Sequence, residues 1–289
     1  VLLELAEFLI RGALLGATYS LLAFPVSLLF VTTDSVDLAV GAYAVLAATV
    51  CMAVAVPLGI VPAIALGIAS AVVASLVVGA LSMTINRGGK PDPLVVVLTT
   101  FGFATFLDSL VLTLYGKDPM VRQPFNHFWQ LGEIRVSPQA AINVATGLTL
   151  LAVLYVWLYR TSFGRDMRAC AANADAAALA GIPVRRISFA TYMVGGLLAG
   201  IAGVLILHTT GTSYSAGLGL TISGFGAAVL FGLHSPLRGF AGGVVIGMVQ
   251  ALSAAYLPEG LGTAVPLLFI LTVLASGRAN FAHVAGGRA

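Results

Sequence analysis

Apolar runs of about 20 residues, repeated along the chain and parted by short polar breaks, constrain this sequence more than anything else in it. At 1.5 Å per residue, a helix of that length crosses the hydrocarbon core of a bilayer. Nine segments can be marked: Gly12 to Val31, Val36 to Val56, Val61 to Ile85, Leu94 to Tyr115, Gln139 to Tyr159, Phe189 to Leu207, Ile222 to Leu233, Phe240 to Leu257 and Ala264 to Ser276. The seventh has 12 residues, so it either starts earlier or is half of a broken helix. Only 9% of the 289 residues are charged and 59% are hydrophobic, whereas soluble domains carry about 25% charged residues. With a mean hydropathy of +1.03, the chain has more apolar surface than an ordinary core can hide. The expectation is an all-α polytopic membrane protein with about 8–9 transmembrane helices, forming one domain over residues 1–289.

The sequence excludes several chemistries. It has no G-x-x-x-x-G-K-[ST] run, so it does not hydrolyse ATP through a P-loop. No Ser/His/Asp set or carboxylate pair stands out, and no enzymatic activity is expected. Cys51 and Cys170 form no disulfide framework, and neither they nor His208 and His234 have metal-ligand spacing. The net charge of +3 reflects loop asymmetry, not nucleic-acid binding. From Val1 onward there is no basic n-region with a cleavage site, and no signal peptide is expected. Gly239, Gly243 and Gly247, like Gly196 and Gly200, are spaced for close helix packing. Trp129, Trp157, Tyr115, Tyr155 and Tyr159 fall near segment boundaries as an aromatic belt.

The long polar interruption from Arg160 to Ser188 holds five of the fourteen basic residues. Its composition predicts one short helix over Asp166 to Ala180, stopped by Gly181 in the left-handed conformation and by Pro183. On that helix Arg165, Arg168, Ala172, Asp175 and Leu179 share one side, and Met167, Cys170, Ala171, Ala174 and Ala178 the other. The loop reads as a docking surface for a second protein, or as an amphipathic helix resting on headgroups. Placing it in the cytoplasm also places Arg87, Lys90, Arg238, Arg278 and Arg288 there, leaving Arg11, Lys117, Arg122 and Arg135 outside. This is the positive-inside bias, and it puts the N-terminus, with Glu4 and Glu7, outside and the C-terminus inside.

Segments one to four and six to nine are parted by a single crossing, so the second set runs inverted. Each set opens with a helix followed by a polar break, TTDSVDLAVG at 32–41 and HTTGTSYSAGLGLTISG at 208–224. Interrupted helices in inverted repeats build solute paths near the bilayer midplane. Charges are costly there, about 3 kcal/mol on insertion scales, so Asp34, Asp37 and Asp108 face a polar interior. Asp37, with Thr32 and Thr33, either lines the path or caps the broken helix. For Asp108 a hydrogen bond to a neighbouring Ser or Thr is expected.

The stretch SFGRDMRACAANADAAALAGIPVRRIS, followed by ATYMVGGLLAGIAGVL, resembles the coupling loop and next helix of ABC importer permeases of the branched-chain amino acid class. GALLGATYSLLAFPVSLLFVTT, LTTFGFATFLDSLVLTLYG and AAVLFGLHSPLRGFAGGVVIGMVQAL resemble that class in order and spacing, so the likeness covers nearly the whole chain. The wider superfamily also holds ribose-type sugar permeases. Two departures lie near the expected path. Val36-Asp37-Leu38-Ala39-Val40-Gly41 is nearer the I-D-L-S-V-G of the sugar permeases than N-F-A-H-G. Gly232-Leu233-His234-Ser235-Pro236-Leu237-Arg238-Gly239 replaces a glycine-rich segment.

The resemblance implies a prokaryotic inner-membrane permease subunit passing a small polar solute, an amino acid or a related molecule. It implies that residues 160–188 engage an ATPase subunit through Gly164, Arg165, Arg168, Asn173, Asp175, Gly181 and Ile182. Path candidates are Thr32, Thr33, Asp37, Gly41, Thr99, Thr100 and Asp108. Implied partners are two ABC ATPase subunits holding ATP-Mg, a second permease chain (a paralogue or another copy), an extracytoplasmic solute-binding protein and membrane lipid. No cofactor and no metal is expected in this chain. The rival reading is an ion- or proton-coupled secondary carrier using Asp37 or Asp108.

Overall fold

Hydrocarbon offers no partner to an open backbone N–H or C=O, so the apolar segments fold as helices. The computed structural model describes residues 2–33, 36–85, 93–122, 129–131, 134–231, 236–258 and 264–275. Its helices are α1 (Leu2–Thr33), α2 (Val40–Leu58), α3 (Ile60–Ile85), α4 (Pro93–Tyr115), α5 (Pro138–Arg160), α6 (Ser162–Ala172), α7 (Ala174–Leu179), α8 (Val184–Leu207), α9 (Gly217–Leu230), α10 (Pro236–Tyr256) and α11 (Ala264–Ala275). Seven of these are long and apolar enough to cross a membrane, and α9 and α11 are shorter apolar helices. Each of the nine apolar segments carries one of these helices, with α2 starting at Val40 after the turn at 38–39. The seventh begins at Gly217, ahead of Ile222, and the sixth at Val184, ahead of Phe189. The polar stretch after α4 carries a small antiparallel hairpin, β1 (Trp129–Leu131) with β2 (Ile134–Val136).

The two halves repeat in their packing. α1 lies along α10 as α8 lies along α3, and α2 meets α3 as α9 meets α10. The registers agree. Gly203 of α8 rests on Ala44 of α2, and Gly224 of α9 rests on Leu22 of α1. Gly67 of α3 rests on Ala47 of α2, and Gly242 of α10 on Ala227 of α9. Equivalent α2 and α9 positions differ by 180 (224 − 44, 227 − 47). α1 and α8 run antiparallel, because Thr18 lies by Thr209 through Asn143 while Leu29 lies by Gly195. The repeat is therefore inverted, with α5 as the odd crossing.

The buried centre is built from α1, α2 and α8, including Leu21, Leu22, Phe24, Tyr43 and Ala199. Outward faces carry exposed apolar side chains such as Val73, Leu98, Phe106, Val153 and Val156, as lipid-facing surfaces do. Asp34, Arg87, Lys90, His234, Ser235, Arg278 and Arg288 lie outside the described residues, and so does 232–235 of the second departure.

Candidate functional site

Two arrangements carry the sequence-predicted residues: the junction where the interrupted helices meet, and the platform built by the long polar loop. At the junction, the starts of α2 and α9 touch at Gly41 and Thr221. These positions are related by the same offset of 180 (221 − 41), so the contact sits on the pseudo-two-fold axis. The Gly41 N–H donates to Thr221 Oγ1 at 2.8 Å. A Cβ at residue 41 would collide with the Gly217 carbonyl and lie 2.7 Å from Thr221 N, so only glycine fits. The Thr221 hydroxyl also approaches the Leu38 and Gly217 carbonyls, each at 3.1 Å.

α4 brackets this junction. Thr100 is buried and its Oγ1 accepts from Leu38 N at 3.2 Å, just ahead of α2. Eight residues on, about 12 Å along the axis, Asp108 reaches the start of α9, where a Cβ on Gly217 would stand 3.0 Å from its Oδ1. That oxygen is buried and accepts no hydrogen bond, so the expected Ser or Thr partner is not supplied to it. It lies instead at the positive end of the α9 dipole.

Asp37 is 2% exposed. Its Oδ1 accepts from Ala39 N at 2.8 Å and its Oδ2 from the Tyr43 hydroxyl at 3.2 Å. The first bond closes an Asx turn that leads the chain into α2. The Thr99 hydroxyl is spent on Val95 O of its own helix and does not join the junction. Thr32 and Thr33 end α1, and their side chains lie outside the described set.

The platform begins where Thr161 ends α5 and caps α6, accepting from Gly164 N at 3.0 Å while donating to Trp157 O at 2.6 Å. Gly164 passes against the Trp157 and Leu158 carbonyls, and no side chain fits there. Phe163 stacks on Trp157 at 5.5 Å between centroids, and Met167 and Cys170 enter the core. These contacts hold α6 in place at the end of the bundle.

The single helix expected over Asp166 to Ala180 is in fact two. Asn173 turns extended (φ −160°, ψ 105°), and its Oδ1 accepts from Asp175 N at 3.1 Å and Ala176 N at 3.0 Å, starting α7 afresh. The break resets the helical phase, so Ala177 is buried and Ala178 exposed, opposite to a continuous helix. Arg168 also departs from the expected solvated face: it is half-buried, with its guanidinium 4.8 Å above the Tyr159 ring. Arg165 and Asp175 are exposed as expected. Gly181 takes φ +84°, and Ile182 N bonds back to Ala177 O at 3.0 Å, so the predicted stop is present. Leu179, at the tip, is 91% exposed. Outside the membrane spans, burial raises the Cys170 thiol pKa, and the nearby Asp166 charge raises it further.

Sequence reasoning missed a third cluster. Gln139 Nε2 donates to Asn143 Oδ1 at 3.0 Å, and Asn143 Nδ2 reaches Thr209 at 2.8 Å and Thr18 at 3.2 Å. The only sequence signal was an amide pair at i, i+4 on α5. Among the described residues no group of His, Cys, Asp and Glu could hold a metal; His208 Nδ1 meets Val204 O at 2.7 Å.

Residues 8–275 match the family described as branched-chain amino acid transport system / permease component. The chain is 28% identical over 284 residues to the high-affinity branched-chain amino acid transport system permease protein LivH of Escherichia coli (strain K12), with 91% of each chain covered. It is 28% identical over 270 residues to a probable branched-chain amino acid transport permease protein LivH of Methanocaldococcus jannaschii, covering 89% of this chain and 84% of that one. Among solved structures, PsaBC from Streptococcus pneumoniae in complex with Fab aligns with a TM-score of 0.52 and 12% identity, covering 94% of this chain and 95% of that one. That last likeness is one of fold.

Proposed function

This chain belongs to the permease component family of branched-chain amino acid transport systems, and from that premise we propose how its parts divide the work of an ABC importer. It is a multi-pass permease subunit that passes a small polar solute, an amino acid or a close relative, across the prokaryotic inner membrane. Energy comes from two separate ATPase subunits holding ATP-Mg. The other partners are a second permease chain and an extracytoplasmic solute-binding protein. The C-terminus is cytoplasmic, on the side of residues 160–188.

The observation that carries this reading is the α6–α7 platform. α6 is anchored through Thr161, Gly164, Phe163 and Met167 and exposes Arg165, while α7 projects an exposed Leu179 one turn past exposed Asp175. An apolar tip among charges, on a rigid mount outside the membrane spans, suits insertion into a groove of an ATPase subunit. Gly164, Arg168, Asn173, Gly181 and Ile182 shape and position that element, and Arg165 and Asp175 meet the partner. Movement of the platform reaches the centre through α5 and α8. There the Gly41–Thr221 junction, held by Asp37 and Thr100 and flanked by Asp108, is where α2 and α9 would separate to change access. Asp37 acts as a brace of this turn; Thr32, Thr33 and Thr99 stand beside the path.

The test is uptake driven by ATP in vesicles containing permease, ATPase and binding protein. Arg165→Glu combined with Leu179→Asp alters only exposed side chains, so folding is retained. Loss of ATPase co-purification together with loss of uptake is the expected result. Full ATP-dependent uptake by this variant, or by Arg165→Glu/Arg168→Glu, would refute the docking assignment.

A further inference from the structure

A groove of about 370 Å³ opens between the end of α3 and the start of α8, next to the α6–α7 platform and separate from the Gly41–Thr221 junction. Its walls are largely apolar, with Met83 on α3 and Phe189 and Met193 on α8. At its polar end stand Arg185 and Arg186, both exposed. Among the described residues neither guanidinium pairs with a carboxylate. The positive end of the α8 dipole adds to their field. The walls belong to two membrane-spanning helices. Phe189 and Met193 are 41% and 46% exposed, and Val77 and Leu81 continue the apolar surface along α3.

We propose that this groove binds an anionic phospholipid, whose headgroup phosphate is taken by Arg185 and Arg186 and whose first acyl segments lie against Met83, Phe189 and Met193. Charge complementarity selects the anion, because both arginines line the same groove and each guanidinium is a planar fork of donors that matches a phosphate. The apolar walls select the lipid. A free phosphate would gain nothing from Phe189 and Met193, and a soluble protein would not reach between two spanning helices. Basic pockets between transmembrane helices are a general solution for holding acidic headgroups. Such a lipid, seated where α8 leaves the α6–α7 platform, would brace the helix that links platform to junction. The proposal rests on the membrane-spanning fold and not on the transport cycle, so its failure leaves the permease reading intact.

The experiment is native mass spectrometry of the full chain in mild detergent, titrated with phosphatidylglycerol or phosphatidylcholine of the same acyl composition. Wild-type protein should bind phosphatidylglycerol at least about tenfold more tightly than phosphatidylcholine. Arg185→Gln/Arg186→Gln should weaken phosphatidylglycerol binding about thirtyfold, at about 1 kcal/mol per basic residue. Arg185→Lys/Arg186→Lys should keep most of the affinity. Ala80→Phe, which narrows the groove and keeps both charges, should also weaken it. Melting curves of the lipid-free variants check that each is folded. Equal binding of the two lipids overturns the proposal, as does an unchanged affinity in the Gln variant. Displacement by millimolar inorganic phosphate together with an indifferent Ala80→Phe overturns it in favour of a water-side anion site. Retained lipid with lost ATPase co-purification assigns the arginines to a protein interface and overturns it as well.

Discussion

Replacing Gly41 by alanine is the sharpest probe of the junction between the interrupted helices. The added Cβ would lie 2.7 Å from both Thr221 N and Thr221 Oγ1, and would collide with the Gly217 carbonyl. Restoring an ordinary contact of about 3.4 Å to Thr221 requires α2 and α9 to part by at least about 0.7 Å, and the tighter Gly217 carbonyl demands more. The same displacement stretches the Gly41–Thr221 hydrogen bond from 2.8 Å to about 3.5 Å, the limit of such a bond. Overpacking costs about 1–3 kcal/mol, and leaving a buried N–H unpaired costs about 1–3 kcal/mol more. At about 2–4 °C per kcal/mol for a chain of this size, the melting midpoint should fall by about 4 °C or more. Fluorescence-detected size-exclusion after heating reads it directly. Gly219 is the control: it sits on the same α9, nothing lies within 4 Å of its would-be Cβ, and Gly219→Ala should be neutral or slightly stabilising. Thr221→Val keeps the shape and removes the hydroxyl, both as acceptor for Gly41 N–H and as donor to the Leu38 and Gly217 carbonyls, so it should show the hydrogen-bond part without the overpacking. A Gly41→Ala protein that melts with the wild type and transports normally would mean the two helices are not in contact there.

Asp37→Asn keeps an oxygen for the Ala39 N–H, so ATP-driven uptake should persist within about twofold, whereas Asp37→Ala should lose about 1–3 kcal/mol of stability; abolished uptake in the Asn variant would return a proton-carrying role to this residue. Asn173→Ala removes the cap of α7 at a cost of about 1 kcal/mol, and hydrogen exchange should show protection lost at 176–180 with α6 unchanged. Cys170 should react slowly with maleimide at neutral pH, because burial and then Asp166 raise its pKa and shrink the thiolate fraction. Labelling should speed up as pH rises, and Asp166→Asn should accelerate it at fixed pH. Rapid labelling of wild type at pH 7, equal to that of an exposed Ala180→Cys in a Cys170→Ser background, would contradict the buried placement.

The helices were legible in the linear sequence, since a run of about 20 apolar residues has one way to satisfy its backbone in hydrocarbon. The stop at Gly181 and Pro183 was legible for an equally local reason: a left-handed glycine followed by a residue without an N–H ends a helix wherever it occurs. Even the inverted repeat showed in outline, because two helix-break units parted by one crossing must face opposite ways.

The break at Asn173 was not legible, because an Ala-rich segment favours a continuous helix, and the balance tips only when the side chain finds two backbone N–H groups. Nor was the burial of Arg168 over Tyr159, which needs α6 to fold back on α5 at Gly164. The pairing of Gly41 with Thr221, and of Asp108 with the start of α9, joins residues more than 100 positions apart. Hydropathy and local propensity sum contributions along the chain, so they determine which segments cross the membrane and where those segments stop. Contacts between distant segments depend on close approach of backbones in three dimensions, and only the assembled bundle decides them.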